Sequence, residues 1–254
     1  MAEPRFKIIR EVAHSFRGAR PNGLEGAIVH YDAGRSRSAG RGTDPQAGAM
    51  TTMMHGQARQ FAYAAIARDG TILLPANMDW ERWGSHAGTS RCPATNRAGV
   101  SRFYVGIEVN SPGLVLPTDD PDRFVPWFDA VRDASGQAVL DARGRARIKD
   151  PNGEIYRRAE LRVAARGANI HAGTYVPFTA DQMDALTGLL LWLKARNPAK
   201  VRFDRVFGHD EVAPTRKLDP GGCLGAPGTP ALTMADYRAR LAALWAARGS
   251  RHSA

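Results

Sequence analysis

The sequence is poor in cysteine and has no long apolar run. Its 254 residues include only two cysteines, Cys92 and Cys223, which lack a CxxC spacing. A cysteine-rich zinc module and a disulfide-stapled scaffold are therefore excluded. No apolar stretch approaches the roughly 20 residues of a membrane-spanning helix, so we expect no membrane span. The opening MAEPRFKIIREVAHSFRGAR lacks the apolar segment of a secretory signal, so we expect synthesis in the cytoplasm without classical export.

Lysine is scarce too, although the chain is strongly basic. Thirty of the 35 Lys and Arg residues are arginine, and the formal net charge is +10. A basic surface suits polyanions such as nucleic acid, anionic lipid or an acidic cell-wall polymer, but arginines scattered over solvated faces explain the charge equally well. Because no basic block and no basic-aromatic interleaving occur, we expect no nucleic-acid partner. Nothing in the sequence indicates the oligomeric state.

Apolar residues make up 43% of the chain, which is enough for a core in one large domain. We expect one domain over residues 1–254, with its core at about 26–247 and a loose tail at 248–254. Strands are predicted at 26–31, 61–67, 71–74, 103–109 and 204–207, and helices at 43–57, 179–194 and 233–249. Strands and helices intermix, so the class is α/β or α+β with one sheet.

Residues 112–171 differ in character from the rest of the chain. Three turn-forming sequences, at 133–136, 141–144 and 150–153, separate short mixed segments. We interpret this region, at about 114–170, as a long insertion of hairpins and loops without a core of its own. It either roofs a cleft and narrows the substrate range or holds a partner.

Two histidines stand at the ends of predicted strands, His30 in AIVHYDAG and His209 in VFGHDEV. Asp219 follows ten residues after the second, in a loop rich in Pro and Gly. Two imidazoles and a carboxylate suit tetrahedral zinc with one position open to water, which is typical of a catalytic site. A single histidine that closes a strand is more often a satisfied core residue, and spacing alone leaves both interpretations open.

Five segments carry a resemblance to a known family, in that family's order and over about 195 residues. They are IVHYDAG (28–34), ARDGTI (67–72), WGSHAGTS (83–90), VGIEVNS (105–111) and GHDEVAPTRKLDPGG (208–222). The sequence resembles the zinc-dependent N-acetylmuramoyl-L-alanine amidases, the type 2 amidases, which are related to the peptidoglycan recognition proteins. The last segment is the most specific, whereas ARDGTI alone predicts only a hairpin.

The resemblance implies an α/β fold with a single central mixed β-sheet flanked by helices, and peptidoglycan or a muropeptide as the substrate. It implies Zn²⁺ as the cofactor, with His30, His209 and Asp219 as its ligands. It also implies a catalytic carboxylate at Glu108, the general base, and a catalytic lysine at Lys217, which stabilises the oxyanion. If the resemblance is set aside, Glu108 is interpreted as a strand carboxylate in a salt bridge and Lys217 as a solvent-exposed lysine of a loop.

Two further residues are candidates for substrate binding. His86, in the SHAG segment, either binds the muramyl peptide or holds its loop, and Asn110 shapes the rim of the cleft. The sequence departs from the family at Tyr63, where relatives often carry a histidine, which puts the neighbouring contacts in doubt. Cys92 and Cys223 follow two loops that we expect to border the same cleft. They either approach the Cα separation of a disulfide, roughly 4.4–6.8 Å, or are unrelated thiols.

The leading hypothesis is therefore an enzyme that cuts the amide between N-acetylmuramic acid and L-alanine. The alternatives are a non-catalytic peptidoglycan-binding module on the same fold and a zinc peptidase that cuts another bond of the stem peptide. The setting is left open among a phage lysin, an injected effector and a cytoplasmic enzyme of wall recycling. The basic charge favours action on the intact cell wall.

Overall fold

The computed structural model describes residues 4–36 and 44–249. In this part of the chain it contains a six-stranded and a five-stranded sheet. The strands are β1 (Phe6–Ile9), β2 (Gly26–Tyr31), β3 (Tyr63–Ile66), β4 (Ile72–Pro75), β5 (Tyr104–Val109), β6 (Leu114–Pro117), β7 (Arg123–Pro126), β8 (Tyr156–Arg157), β9 (Arg162–Ala164), β10 (Gly173–Tyr175) and β11 (Val206–Gly208). The helices are α1 (Ala47–Ala58), α2 (Ala180–Arg196), the single turn α3 (His209–Val212) and α4 (Met234–Gly249).

The central sheet has the strand order β1-β4-β3-β5-β2-β11. Its only antiparallel pair is β3 with β4, and its other neighbours are parallel, so the sheet is mixed. One face packs against α2 and α4, and the other packs against α1 around Met53 and Tyr63. Because β2 and β5 are covered on both faces, both read as nearly continuous apolar runs. The predicted α/β fold with a central mixed sheet flanked by helices is confirmed.

Helix boundaries follow the capping signals in the sequence. Thr179 Oγ1 accepts a hydrogen bond from Gln182 N at 3.0 Å, and Gln182 Oε1 accepts one from Thr179 N at 3.0 Å, which forms a capping box. Helix α4 begins after Thr233 and extends to Gly249, so it includes the first two residues of the predicted tail. Helix α1 begins at Ala47, and Thr43, its predicted start, lies outside the described residues. Residues 250–254 of the predicted tail also lie outside them.

The insertion is more ordered than the sequence predicts. Strands β8-β7-β6-β10-β9 form an antiparallel sheet with buried side chains of its own, among them Val115, Phe124 and Tyr156. The predicted hairpins are present, since β6 and β7 pair antiparallel, but the expectation that the insertion lacks a core of its own is wrong. Strand β10, which lies outside the predicted insertion, joins β6 to β9 in this sheet. That pairing links residues far apart in sequence, so no local pattern reveals it.

The N-terminal strand is a second departure from the sequence prediction, which starts the core at about residue 26. Strand β1 pairs in parallel with β4 and forms the outer edge of the central sheet. Its sequence, FKII, is short and its exposure is uneven, with Ile9 buried and Ile8 61% exposed. Four residues of this kind give no periodic signal.

The two cysteines do not form a disulfide. Both are free and buried, Cys92 in an apolar cluster with Tyr104 and Cys223 in the main core. The Cys223 Sγ lies 3.9 Å from Ser111 Oγ, and the Cys92 Sγ lies 3.2 Å from the Tyr104 hydroxyl. The bridging alternative is therefore wrong, and the thiols are unrelated. In the described ranges, no helix combines the length and the apolar character that crossing a membrane requires.

One buried arginine connects the second sheet to the loop that follows Asp219. Arg162, in β9, is 7% exposed and donates to five backbone carbonyls, those of Gly222, Leu224, Gly225, Ala226 and Thr229, at 2.6–3.1 Å. A buried carbonyl without a donor costs about 1–3 kcal/mol. The guanidinium therefore fixes the path of the chain beyond Asp219.

We expect Arg162→Met to lower the free energy of unfolding by more than about 3 kcal/mol, because it leaves several buried carbonyls without donors. Urea denaturation measures this loss. Arg166→Met is the matched control, since Arg166 is an exposed arginine of the same region, and it should change stability by less than about 0.5 kcal/mol. Equal stability of the two variants would contradict the role of Arg162.

Candidate active site

The site lies where three parallel strands of the central sheet end. Strand β2 lies between β5 and β11, and the register sets His30 opposite Glu108 and Val29 opposite Gly208. His209 follows Gly208 directly, so it comes next to His30 at the end of β11. The carboxyl ends of parallel strands meet at one edge of a sheet, which is why residues 101 and 179 positions from His209 are its neighbours here.

Asp219 completes a compact cluster with the two histidines. Its Oδ2 lies 3.0 Å from His30 Nδ1 and 3.0 Å from His209 Nδ1, and all three side chains are buried. The loop that carries Asp219 is held by Asp210, whose backbone N donates to Asp219 O at 2.7 Å and whose Oδ2 accepts from Gly221 N at 3.1 Å. The three residues predicted as metal ligands are thus brought together.

The hydrogen bonds around the imidazoles assign where their protons lie. His209 Nε2 donates to Ala87 O at 3.1 Å, and His86 Nε2 donates to Tyr104 O at 2.9 Å, because a carbonyl oxygen only accepts. His86 Nδ1 is then an acceptor, so His30 Nε2, at 3.3 Å, donates to it. In the neutral rings, Nδ1 of His30 and Nδ1 of His209 consequently carry lone pairs.

Three acceptor atoms therefore converge on one point with no proton between them. These atoms are the two Nδ1 nitrogens and the Asp219 carboxylate oxygen, and all lie within 4.8 Å of one another. Two ligands that are each about 2.0–2.1 Å from a tetrahedral ion are about 3.3 Å apart, close to the 3.0 Å separations here. The donor set fits a divalent metal ion, and two nitrogens with one oxygen is a set that zinc accepts.

Burial favours the neutral form of His30 and of its neighbour His86. Burial lowers the pKa of His30 to about 4, and burial together with the neighbouring His30 lowers the pKa of His86 well below its usual value. Neutral imidazole and ionised carboxylate are the forms that bind a metal.

Glu108 lies beside this cluster but is not part of it. Its Oε1 is 3.8 Å from His30 Nδ1, and its side chain is 13% exposed. Burial raises the pKa of Glu108 well above its ordinary value, and the negative charges of Asp219 and Asp32 raise it further, whereas Lys217 lowers it. A carboxyl group with a raised pKa binds a proton more readily than an exposed glutamate does, which suits a general acid or base.

These residues open into a cavity of about 690 Å³. The cluster, Glu108 and Lys217 form part of its wall. The rest of the wall comes from the end of β2 and the loop after it, from α1, from the start of β3, from the loop before β5, from the insertion and from the loop before Asp219. These residues are Tyr31–Gly34, Thr51, Thr52, His55, Phe61, Tyr63, Ser85–Gly88, Trp127, Arg216 and Leu218. Lys217 is half-buried in this wall. All five residues predicted as ligands or catalytic groups thus face one cavity.

The two residues predicted to bind substrate are placed differently from each other. His86 lines the cavity, but both of its ring nitrogens contact protein, His30 on one side and Tyr104 O on the other. It packs against β5, where a Cβ atom at Gly106 would lie 2.6 Å from His86 Cγ. Asn110 is fully buried and does not line the cavity. Its Nδ2 donates to Asp32 Oδ2 at 2.9 Å, so it supports the cavity wall from behind.

Asp32, Arg216 and Trp127 also line the cavity, although sequence reasoning gave them no role. The Asp32 carboxylate accepts four hydrogen bonds, from Thr52 Oγ1, Asn110 Nδ2, Gly34 N and Ser111 N, at 2.6–3.1 Å. Asp32 lies in the IVHYDAG segment, two residues after His30, and this position could have identified it as a site residue from the sequence. Tyr63, at the position of the family's histidine, donates from its hydroxyl to Thr52 O at 2.7 Å.

A sequence model of the N-acetylmuramoyl-L-alanine amidases matches residues 20–222 of the 254. The chain belongs to this family. The match runs through the insertion and ends just beyond Asp219, so it includes every residue of the cluster. Membership assigns the reaction class of the chain, the hydrolysis of an amide in peptidoglycan. No curated protein matches the sequence.

Several solved structures are similar to the chain. A selenomethionine derivative of AmpD aligns at 20% identity and a TM-score of 0.45, with 94% of each chain covered. The N-acetylmuramyl-L-alanine amidase AmiD from E. coli, in complex with its substrate, aligns at 15% identity and 0.43, covering 89% of this chain and 61% of AmiD. AmpDh3 from Pseudomonas aeruginosa, in complex with an anhydromuramic pentapeptide, aligns at 19% identity and a TM-score of 0.40. The alignment covers 83% of this chain and 60% of AmpDh3.

Proposed function

We propose that the protein is a zinc-dependent amidase that hydrolyses the bond between N-acetylmuramic acid and the L-alanine of the peptide stem. His30, His209 and Asp219 hold the metal. The observation that carries this proposal is the convergence of three metal-ligating side chains in the wall of a cavity, with the Glu108 carboxyl 3.8 Å from His30 Nδ1. When bound, zinc supplies a water that ionises near neutral pH and polarises the scissile carbonyl.

Glu108 moves the proton in this reaction. Its carboxylate accepts the proton of the attacking water and returns it to the nitrogen of L-alanine as the C–N bond breaks, so the amine leaves uncharged. Burial favours its protonated form, which makes it a stronger base than an exposed glutamate. It accepts none of the hydrogen bonds found among the described residues, so the carboxylate is free to turn between water and leaving group.

Lys217 stabilises the negative charge that develops on the carbonyl oxygen. Its side chain lines the same cavity as Glu108 and is close enough to lower the pKa of that carboxyl. A cation in a partly buried site acts on a developing oxyanion without first being reorganised.

His86 is a positioning residue in this scheme. His86 accepts a hydrogen bond from His30 Nε2 and donates one to Tyr104 O. These two hydrogen bonds fix the ring of His30 so that its Nδ1 faces Asp219. Because both ring nitrogens of His86 contact protein, we favour a role in orienting His30 over direct binding of the muramyl peptide.

Digestion of purified sacculi and of soluble anhydro-muropeptides, with zinc and with a chelator, tests the proposal. We expect peptide stems with a free L-alanine amino group and an intact glycan, identified by mass, and no release in chelator. Binding of sacculi without release would indicate a binding module, and cleavage elsewhere in the stem would indicate a peptidase. The relative rates on the two substrates distinguish attack on intact wall from recycling of fragments.

A further inference from the structure

The insertion contributes an exposed aromatic side chain to the cavity. Trp127 follows β7 directly and is 43% exposed. Six large apolar residues in the described ranges are comparably exposed, and Trp127 alone among these six lines the cavity. An exposed indole in the wall of a binding cavity offers a ligand a rigid apolar face with a polar edge.

The position of this indole is fixed from two directions. Trp127 Nε1 donates to Ala33 O at 3.3 Å, in the loop that follows His30, and the guanidinium of Arg132 lies 5.0 Å from the ring centroid, over one face. The same loop is joined to the insertion by Arg35, which donates to both carboxylate oxygens of the buried Asp129 at 2.5 and 2.7 Å. The ring is therefore preorganised and does not hang free in solvent.

The cavity wall divides into chemically different parts. Trp127 lies against the backbone of Ala33, whereas Arg216 donates to the carbonyls of Ala87 and Thr89, on another loop. Lys217, next to Arg216, adds a second cation. A substrate bound in this cavity can therefore contact an aromatic surface beside one loop and an arginine beside another.

We propose that Trp127 is a specificity-determining residue that packs against the muramyl sugar ring, while the cationic wall receives the carboxylates of the peptide stem. This inference rests on the proposed function. A pyranose ring presents C–H groups on its face, which pack well on an indole, and the polar edge of tryptophan tolerates the sugar's hydroxyls. The carboxylates of the stem are attracted to the Arg216 guanidinium and not to the ring.

Kinetics on two substrates test the proposal. One is a soluble muramyl peptide, and the other is the same peptide carrying only a D-lactoyl group in place of the sugar. For Trp127→Ala we expect KM to rise about three- to tenfold on the muramyl peptide, the range that aromatic packing contributes. We expect kcat to stay within about twofold, and both constants to be unchanged on the lactoyl peptide.

Two further variants make the result specific. Trp127→Phe keeps an aromatic face without the N–H donor, and it should recover most of the affinity for the muramyl peptide. Leu140→Ala is the matched control, since Leu140 is an apolar residue of the insertion that is 46% exposed and does not line the cavity. Its KM should equal that of the wild type on both substrates. The melting temperature and the zinc content of each variant report on folding and on the metal site.

The possible results separate this inference from the function on which it rests. If the wild type cleaves both substrates and Trp127→Ala leaves KM unchanged on the muramyl peptide, the assignment of Trp127 is wrong and the proposed function stands. An equal rise in KM on both substrates would also overturn it, because the effect would not depend on the sugar. If the wild type cleaves neither substrate, both proposals fail.

Discussion

Glu108→Gln should slow the release of stem peptides at least a hundredfold while the protein keeps one zinc and still binds muropeptide. Glutamine has the size and hydrogen-bonding capacity of glutamate but cannot accept the proton of the attacking water. Loss of one well-placed general base costs about 10²–10⁴ in rate, or roughly 3–5 kcal/mol of transition-state stabilisation. Because Glu108 lies 3.8 Å from His30 Nδ1 and outside the cluster, the metal site should survive. Steady-state kinetics and metal analysis of the same sample measure both properties.

Glu11→Gln is the control for this experiment, because Glu11 is an exposed glutamate that does not line the cavity. It should leave rate and zinc content unchanged. Cleavage by Glu108→Gln at the wild-type rate would refute the proposed mechanism even with the metal site intact. Loss of zinc together with activity would instead make Glu108 a ligand or a residue required for folding.

His209→Ala should reduce the bound zinc to near zero, and the cleavage activity should fall with it. The substitution removes one of three ligands and leaves His30 and Asp219, which do not complete a tetrahedral site. Metal analysis gives the stoichiometry. Thermal unfolding gives a readout that is independent of turnover, since a metal that binds only the folded chain stabilises it. Added zinc should raise the melting temperature of chelator-treated wild type but not that of His209→Ala.

His55→Ala is the matched control for the ligand variant. His55 is an exposed histidine of α1 that lines the same cavity but is not part of the cluster, so this variant should bind zinc as the wild type does. Asp219→Asn serves as a second ligand variant with almost unchanged volume, which guards against a general loss of folding. Stoichiometric zinc in His209→Ala would remove His209 from the ligand set.

The sequence by itself determined the fold class, the capping box of α2 and the residues of the cluster. His30 and Glu108 lie one residue before the ends of β2 and β5, and His209 directly follows β11. These strands are buried, so each shows as an apolar run with a polar residue near its end. Local patterns of this kind follow from burial, which the chain encodes residue by residue. The resemblance then selected Asp219 and Lys217 from a loop in which spacing alone left alternatives.

Only the tertiary structure decided what lies around those residues. It turned His86 towards His30, buried Asn110 behind Asp32, separated Cys92 from Cys223, and brought Trp127 of the insertion to the cavity. Each of these contacts joins positions from different elements. The second sheet has the same origin, since β10 pairs with β6 across the intervening residues 118–172. Contacts between distant segments depend on how whole elements pack, and no local periodicity records them.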